Sequence, residues 1–192
     1  MREYPREIYL LDNTRITVRP IESNDLEALY IFFSKLPKSD LLIYKDDFTS
    51  MESLENWFAS SVFSKTFQLV ALSKGEIVAN GSIHPEGLFW SHAAELKLIV
   101  APDFRCKGLG SILFNILLYE VIKNRFEKII FRYVSNNISF TKILNQYGFK
   151  PDTKLICYVN DKSTNSTIDL IIASFSFENW DRRYEFYSFL YR

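Results

Sequence analysis

Seven consecutive residues, Arg105-Cys106-Lys107-Gly108-Leu109-Gly110-Ser111, combine two glycines with two cationic side chains. They lie between a strand-like apolar run, Leu96 to Val100, and a helix-like segment, Ile112 to Arg125. A turn that opens directly into a helix aims unpaired backbone N–H groups and the positive end of the helix dipole at one point. Because the two glycines have no Cβ, they can take unusual backbone angles and let a bulky anion approach closely. The pattern predicts a phosphate-binding loop.

Two common phosphate loops are excluded by their residues. A Walker A loop has a Lys-Ser/Thr pair after its last glycine, whereas Gly110 is followed by Ser111-Ile112. A dinucleotide fingerprint has a third glycine, whereas position 113 is leucine.

The loop resembles that of a known family. Arg105 to Gly110 fits Arg/Gln-x-x-Gly-x-Gly/Ala, the pyrophosphate loop of the GNAT superfamily of acyl-CoA-dependent N-acyltransferases. The resemblance continues through Leu96 to Pro102, Asn137 and Tyr147-Gly148-Phe149. It implies transfer of an acetyl group from acetyl-CoA, used as a cosubstrate without a metal, to a primary amine acceptor by direct attack.

The resemblance also implies which residues hold acetyl-CoA. The pantetheine arm would pair like an extra strand with the backbones of Leu98, Ile99 and Val100. The family asparagine that contacts the cosubstrate corresponds to Asn137, which is equally placed to cap the following helix. The complete implied set is Leu98, Ile99, Val100, Arg105, Cys106, Lys107, Gly108, Leu109, Gly110, Ser111 and Asn137.

Acyl transfer to an amine requires a neutral nucleophile, and a free lysine-type amine has a pKa of about 10.4. A carboxylate can remove that proton, directly or through water. Glu95, one residue before the predicted strand, resembles the strand glutamate of bacterial GNAT protein acetyltransferases and is the candidate base. A β-bulge would turn it away from the cleft, and a solvated strand-end carboxylate is the alternative.

The usual acid of many relatives is missing. They have a tyrosine four residues before the glycine of Gly-Phe, a position that is Leu144 here. Another residue such as Tyr133 or Tyr158 donates the proton, or the thiolate leaves without assistance, or the protein does not catalyse. The last possibility gives the alternative function, a catalytically silent acyl-CoA-binding sensor or interaction module.

Three further side chains could take part in the chemistry. His84 and His92 are alternative bases, although histidines without supporting spacing are more often ordinary surface residues. Cys106 lies between two cations in the predicted loop, where a thiolate is favoured. We hypothesise that it is oxidisable or forms a mixed disulfide with CoA.

The 192 residues suit one domain, taken as residues 1–177, followed by an aromatic helical tail, residues 178–192. The tail has aromatic residues at three- or four-residue steps. We expect it either to cover the core of its own domain or to form a homodimer contact. The aromatic residues at these steps are Trp180, Tyr184, Tyr187 and Tyr191.

Charge and cysteine content narrow the partners and the compartment. The 23 basic and 23 acidic residues cancel, which gives no basis for binding nucleic acid or an anionic membrane. The N-terminus does not read as a secretory signal, and no apolar stretch approaches the length of a membrane span. Two cysteines without metal-ligand spacing are most simply reduced thiols, so the cytoplasm is expected.

Apolar runs separated by turn residues predict strands that first form hairpins, then alternate with helices, then form a final hairpin. This order indicates an α/β (α+β) fold with a mixed, mostly antiparallel sheet and helices on both faces. It agrees with the six to seven strands of the GNAT fold.

The sequence leaves the identity of the amine acceptor open among polyamines, aminoglycosides, amino acids, protein N-termini and lysine side chains.

Overall fold

The computed structural model describes residues 4–44, 46–60, 65–87, 92–161 and 163–176. Within these ranges it has eight strands: β1 Arg6–Tyr9, β2 Arg15–Pro20, β3 Phe67–Ser73, β4 Glu76–Pro85, β5 Ala93–Val100, β6 Lys128–Val134, β7 Lys150–Asp161 and β8 Ser166–Ser176. The same ranges hold four α-helices: α1 Leu26–Ser34, α2 Met51–Ala59, α3 Leu109–Lys123 and α4 Ile138–Gln146. Short 3-10 turns occupy Ser23–Asp25, Lys38–Leu41 and Pro102–Phe104.

The strands form a mixed sheet in the order β1-β2-β3-β4-β5-β6-β8-β7. Pairing is antiparallel between β1 and β2, β2 and β3, β6 and β8, and β7 and β8, whereas β5 and β6 run parallel. The predicted mixed, mostly antiparallel sheet is therefore confirmed. The strand count is eight rather than six to seven, because both N-terminal runs and both C-terminal runs join the same sheet.

The chain divides into two compact units, and the first comprises the residues up to Ser82 together with Leu98–Leu113. Helix α1 buries one apolar face, led by Leu29 and Phe33, against an apolar cluster. Aromatic rings pack closely here: the Phe33 and Phe48 centroids are 5.1 Å apart, and those of Phe48 and Trp57 are 5.2 Å apart. The link between α1 and α2 thus contributes to the core of this unit.

The start of α1 is held by a partly buried ion pair. The guanidinium of Arg19 donates to both carboxylate oxygens of Asp25, each at 2.7 Å, and the backbone N–H of Glu22 donates to Asp25 at 2.7 Å. Asp25 is 5% exposed. Burial alone would raise the pKa of Asp25, but these donors outweigh it and lower the pKa.

The second unit comprises Ile83–Lys97 and the residues from Phe114 onward. Its core includes Phe114, whose ring centroid lies 4.9 Å from that of Tyr147 and 5.8 Å from that of Phe149. Phe131 of β6 lies 6.1 Å from Phe114. Helix α3 therefore packs on β6 and on the residues that follow α4.

Helix α4 ends at a glycine cap. Gly148 has φ of +76°, in the left-handed region, and the N–H of Phe149 donates to the carbonyl of Leu144 at 3.0 Å. This six-to-one hydrogen bond is the Schellman pattern. Gly148 is therefore the C′ residue of α4.

Three predicted boundaries differ from the structure. Strand β5 begins at Ala93 rather than Leu96, so Glu95 lies inside the strand instead of one residue before it. Helix α3 runs from Leu109 to Lys123 rather than from 112 to 125. Strand β7 extends well beyond the apolar run 155–159 because β8 pairs along its length. The predicted tail, residues 178–192, lies outside the described residues.

Among the described residues, no helix is both long and apolar enough to cross a membrane.

Candidate functional site

The predicted phosphate loop joins the end of β5 to the start of α3. Cys106 and Gly108 both have positive φ, +58° and +89°, and α3 begins at Leu109. The N–H of Ile112 donates to the carbonyl of Gly108 at 3.0 Å, which closes the first helical turn. The N–H groups within that turn have no acceptor inside the helix. The arrangement suits an anion at the N-terminus of α3.

The two glycines of the loop have different roles. A Cβ added to Gly108 would meet the side chain of Leu11 at an ordinary 3.7 Å, so there is space for a side chain. Glycine is favoured at this position because of its positive φ. Gly110 lies within the first turn of α3 and has helical backbone. The expectation that Gly110 takes unusual backbone angles is therefore wrong, because the helix begins one residue before it.

Arg105 turns back toward the strand that precedes it. Its Nε donates to the carbonyl oxygen of Val100 at 2.9 Å, and its guanidinium forms an ion pair with Asp40 of the second 3-10 turn. Arg105 therefore ties the beginning of the loop to the end of β5 and to the segment after α1.

Lys107 is fixed by the turn between β1 and β2. Its Nζ lies 3.0 Å from Oδ2 of Asp12, and its carbonyl accepts a hydrogen bond from the N–H of Leu11 at 3.1 Å. Hydrogen bonds from Thr14 and then from Lys107 lower the pKa of Asp12 to about 2. The loop cations thus have carboxylate partners that were not foreseen.

These residues fit the pyrophosphate of acyl-CoA. The loop offers a left-handed glycine, a helix N-terminus and two cations within the same unit. Strand β5 leads into the loop through Leu98 and Ile99, which are 1% and 4% exposed. Their side chains are buried, so only their backbone groups are suited to contact a ligand. Cys106 is exposed and is not in a disulfide.

Glu95 lies on the less buried face of β5. Burial alternates regularly from Ala94 to Leu98, so Glu95 and Lys97 share a face and no bulge disturbs this part of the strand. Oε2 of Glu95 lies 2.8 Å from Nη1 of Arg132 on β6, and the side chain of Glu95 is 15% exposed. The candidate base is therefore a partly buried carboxylate with a cationic partner.

Asn137 is the N-cap of α4. Its Oδ1 accepts a hydrogen bond from the N–H of Phe140 at 3.3 Å. The capping role proposed from the sequence is confirmed, whereas a contact with the cosubstrate stays a prediction.

The two histidines have different environments. Burial and then the charge of Lys97 lower the pKa of His84 to about 3, so this imidazole is neutral at physiological pH. His92 contributes its backbone: its carbonyl accepts from the N–H groups of Glu127 at 2.7 Å and Lys128 at 3.1 Å. These bonds join the start of β5 to the start of β6.

Comparison with models of protein families identifies the family of this chain. Residues 30–149 match the model of the acetyltransferase (GNAT) family, a span that includes both the loop and Glu95. The chain belongs to the GNAT family. The resemblance read from the loop is thereby confirmed.

Solved structures of GNAT proteins share the fold. One is an acetyltransferase from Salmonella typhimurium with acetyl-CoA, with TM-score 0.71 and 16% identity over 85% of this chain and 95% of that one. A ribosomal-protein-S5-alanine acetyltransferase from Vibrio fischeri has TM-score 0.70 and 19% identity over 86% and 94%. A protein described as a phosphinothricin N-acetyltransferase has TM-score 0.71 and 20% identity over 85% and 99%.

The tyrosines considered as acids for this GNAT chain lie away from Glu95. Tyr133 is 3% exposed and points to the face of β6 opposite Arg132, while Tyr158 is 66% exposed on the edge strand β7. Tyr147 donates its hydroxyl hydrogen to Asn115 and is buried. Leu144, at the usual acid position, is 2% exposed.

Sequence reasoning missed four charged residues at the site. Asp12 and Asp40 form ion pairs with the loop cations, Arg132 forms one with Glu95, and Glu86 forms one with Arg132. Asp12 carried a weak signal, since Asp-Asn-Thr reads as a turn, but no local pattern links these residues to their partners. Among the described residues, no group of three or more His, Cys, Asp or Glu side chains is arranged to hold a metal ion.

Proposed function

We propose that this GNAT chain is an acetyl-CoA-dependent N-acetyltransferase that transfers the acetyl group to a primary amine by direct attack. The observation that carries the proposal is the pair of left-handed residues, Cys106 and Gly108, immediately before the N-terminus of α3. Such a loop suits a pyrophosphate. The loop residues resemble the family motif and lie within the matched residues 30–149.

The proposed binding residues divide into three groups. Main-chain groups of Leu98, Ile99 and Val100 align the pantetheine arm, and the side-chain amide of Asn137 supplies a further contact. The loop binds the pyrophosphate through its backbone and its cations. The loop residues are Arg105, Cys106, Lys107, Gly108, Leu109, Gly110 and Ser111.

Acetyl-CoA supplies a thioester whose carbonyl carbon accepts the amine. The acceptor arrives mainly as an ammonium ion, which has no lone pair. Glu95 accepts its proton, directly or through one water, and the neutral nitrogen then forms the new C–N bond as the C–S bond breaks. The nitrogen loses its second proton to water, which leaves the neutral amide and the thiolate. A carboxylate has about four lone-pair sites, so the contact of Glu95 Oε2 with Arg132 leaves acceptor capacity for this proton.

The departing sulfur is proposed to leave as thiolate without a tyrosine acid. A thiol has a pKa of about 8.5, so its thiolate is a tolerable leaving group near neutral pH. This agrees with the buried Leu144 and with the placement of Tyr133 on the opposite face of β6.

A second candidate function is an acyl-CoA sensor that binds without turnover. The observation that favours it is the apolar Leu144, 2% exposed, where many relatives have an acid. Thioester consumption separates the two candidates, because a sensor leaves acetyl-CoA intact.

The test combines calorimetric titration of acetyl-CoA with a free-thiol assay against a panel of amines. We expect saturable binding and acceptor-dependent thiol release, with kcat lowered by about 10²-fold or more in Glu95→Gln while acetyl-CoA affinity is retained. Glu7→Gln is the matched control, since Glu7 also forms an ion pair, with Arg15 at 2.5 Å. Binding of acetyl-CoA without thiol release in the presence of any amine would favour the sensor function over the enzyme. Absence of binding would contradict both proposed functions.

A further inference from the structure

Arg132 lies on the same face of the sheet as the proposed base. Strands β5 and β6 run parallel with Glu95 opposite Ile130, and residues opposite each other point to the same side. Arg132 is two residues beyond Ile130 and therefore shares that face. On its other side β6 pairs with β8, which places Ile172 opposite Arg132.

One nitrogen of Arg132 contacts two carboxylates. Nη1 lies 2.8 Å from Oε2 of Glu95 and 3.0 Å from Oε1 of Glu86, which directly follows β4. The three side chains are 31%, 15% and 16% exposed for Arg132, Glu95 and Glu86. Burial alone would lower the pKa of Arg132, but the charges of Glu95 and Glu86 outweigh it and raise the pKa.

We propose that Arg132 is a positioning residue for acyl transfer: it holds the carboxylate of Glu95 in one orientation, and Glu86 holds Arg132 in place. This inference rests on the proposed function, in which Glu95 accepts the proton of the acceptor amine. Arg132 itself does not touch the reacting atoms.

The geometry assigns separate roles to the two carboxylates. Glu86 is fixed by its backbone, since its N–H donates to the carbonyl of Ala93 at 3.1 Å. A carboxylate anchored in this way can restrain Arg132, and Arg132 in turn restrains Glu95. Removing the guanidinium would take away the nitrogen that contacts both carboxylates, so Glu95 would lose the contact that orients it.

The charged and titratable groups around Glu95 come from each neighbouring element. Lys97 lies two residues along β5 on the same face, and Arg132 and Lys128 lie two residues to either side of Ile130 on β6. Strand β4 contributes His84, which is neutral above about pH 3, and Glu86 follows that strand. The residue of β8 opposite Arg132 is Ile172, which carries no charge. Losing Arg132 therefore removes the cation that contacts Glu95.

The experiment compares Arg132→Gln, Arg132→Lys and the double variant Arg132→Gln/Glu86→Gln with the wild type. For each protein, kcat and the acceptor KM are measured from pH 5 to 9, together with the calorimetric Kd for acetyl-CoA. A second readout is the side-chain ¹³C carboxyl signal of Glu95, assigned by its absence in Glu95→Gln. Arg19→Gln is the matched control, because Arg19 forms a similarly buried pair with Asp25.

We expect Arg132→Gln to lower kcat by about 10- to 100-fold, with the Kd for acetyl-CoA unchanged within about twofold. The carboxyl signal of Glu95 should shift and broaden, because its side chain no longer keeps one orientation. Arg132→Lys should restore only part of kcat, because the ammonium lacks the planar guanidinium fork. The double variant should leave kcat low, because Glu95 still lacks its guanidinium partner. Arg19→Gln should lower stability without changing kcat or the Glu95 signal.

Two results would overturn the positioning role. One is wild-type kcat and an unchanged Glu95 signal in both Arg132 variants. The other is an activity loss in Arg132→Lys that matches its loss of folded protein and leaves the Glu95 signal unchanged. Failure of the proposed function is distinguishable, because it appears in the wild type as binding without turnover or as no binding.

Discussion

Asp12 and Lys107 form an ion pair of 3.0 Å between the first hairpin turn and the phosphate loop, 95 positions apart in the sequence. The same turn donates the backbone N–H of Leu11 to the carbonyl of Lys107. The loop therefore has a defined conformation before any phosphate arrives, but one of its cations already has an anionic partner. Preorganisation favours binding, whereas the carboxylate competes with phosphate for the same ammonium.

Asp12→Asn should strengthen binding of acetyl-CoA by up to about fivefold, because the pair is exposed and weak and the ammonium of Lys107 becomes free to bind phosphate. Since the pKa of Asp12 is about 2, the effect should be constant between pH 5 and 9. Calorimetry at low and high salt measures it. Asp47→Asn is the control, because Asp47 accepts from Thr49 N–H at 3.0 Å as Asp12 does from Thr14. Weaker binding by Asp12→Asn would mean that the carboxylate only orders the loop.

Asn137 should show two separable contributions. Asn137→Ala should lower the free energy of unfolding by about 1 kcal/mol through loss of the N-cap, whereas Asn137→Ser should retain most of the cap. If the amide also contacts acetyl-CoA, both variants should bind it about tenfold more weakly, about 1.4 kcal/mol. Chemical denaturation and calorimetry measure the two quantities. Full affinity in Asn137→Ser would restrict Asn137 to capping.

The Arg19–Asp25 pair should contribute to resistance against acid. The folded state lowers the pKa of Asp25, so the stabilisation is present above the ordinary value of 3.8 and is lost as the pH falls toward the folded value. Asp25→Asn leaves Arg19 partly buried without a counter-charge and should cost about 3 kcal/mol at pH 7. It should also flatten the decline of stability below pH 4. Urea unfolding at several pH values tests this, with the exposed Asp152→Asn as control. An unchanged acid slope would contradict the assignment.

Local patterns are sufficient for the presence of the loop and for the C-terminal end of α4. Gly148 is recognisable as a C′ residue because the left-handed conformation that ends a helix is adopted mainly by glycine. The glycines before an apolar helical face likewise marked the start of α3, although the exact first residue, Leu109, was misplaced by three positions. Helix ends are specified by local hydrogen bonding, which the sequence displays directly.

Sheet boundaries and charge partners were beyond local reasoning. Ala93 and Ala94 have little strand propensity, yet they belong to β5 because they pair with Lys128 and Ile129 of β6. The position of Glu95 inside a strand, and hence its contact with Arg132, depends on that pairing. Such contacts join residues that are distant in the sequence, and one chain provides no signal for which charges will meet.

The central claim is that the loop before α3 binds acetyl-CoA through its backbone, and a pair of glycine variants tests it most directly. Gly108 and Gly75 have nearly the same φ, +89° and +87°, and an added Cβ would meet no close contact at either position. Gly108→Ala and Gly75→Ala should therefore lose similar stability, about 1 kcal/mol or more. Calorimetric titration with acetyl-CoA should show affinity at least tenfold weaker for Gly108→Ala, because strain there turns the loop N–H groups, and wild-type affinity for Gly75→Ala. Equal affinity in the two variants would contradict the account.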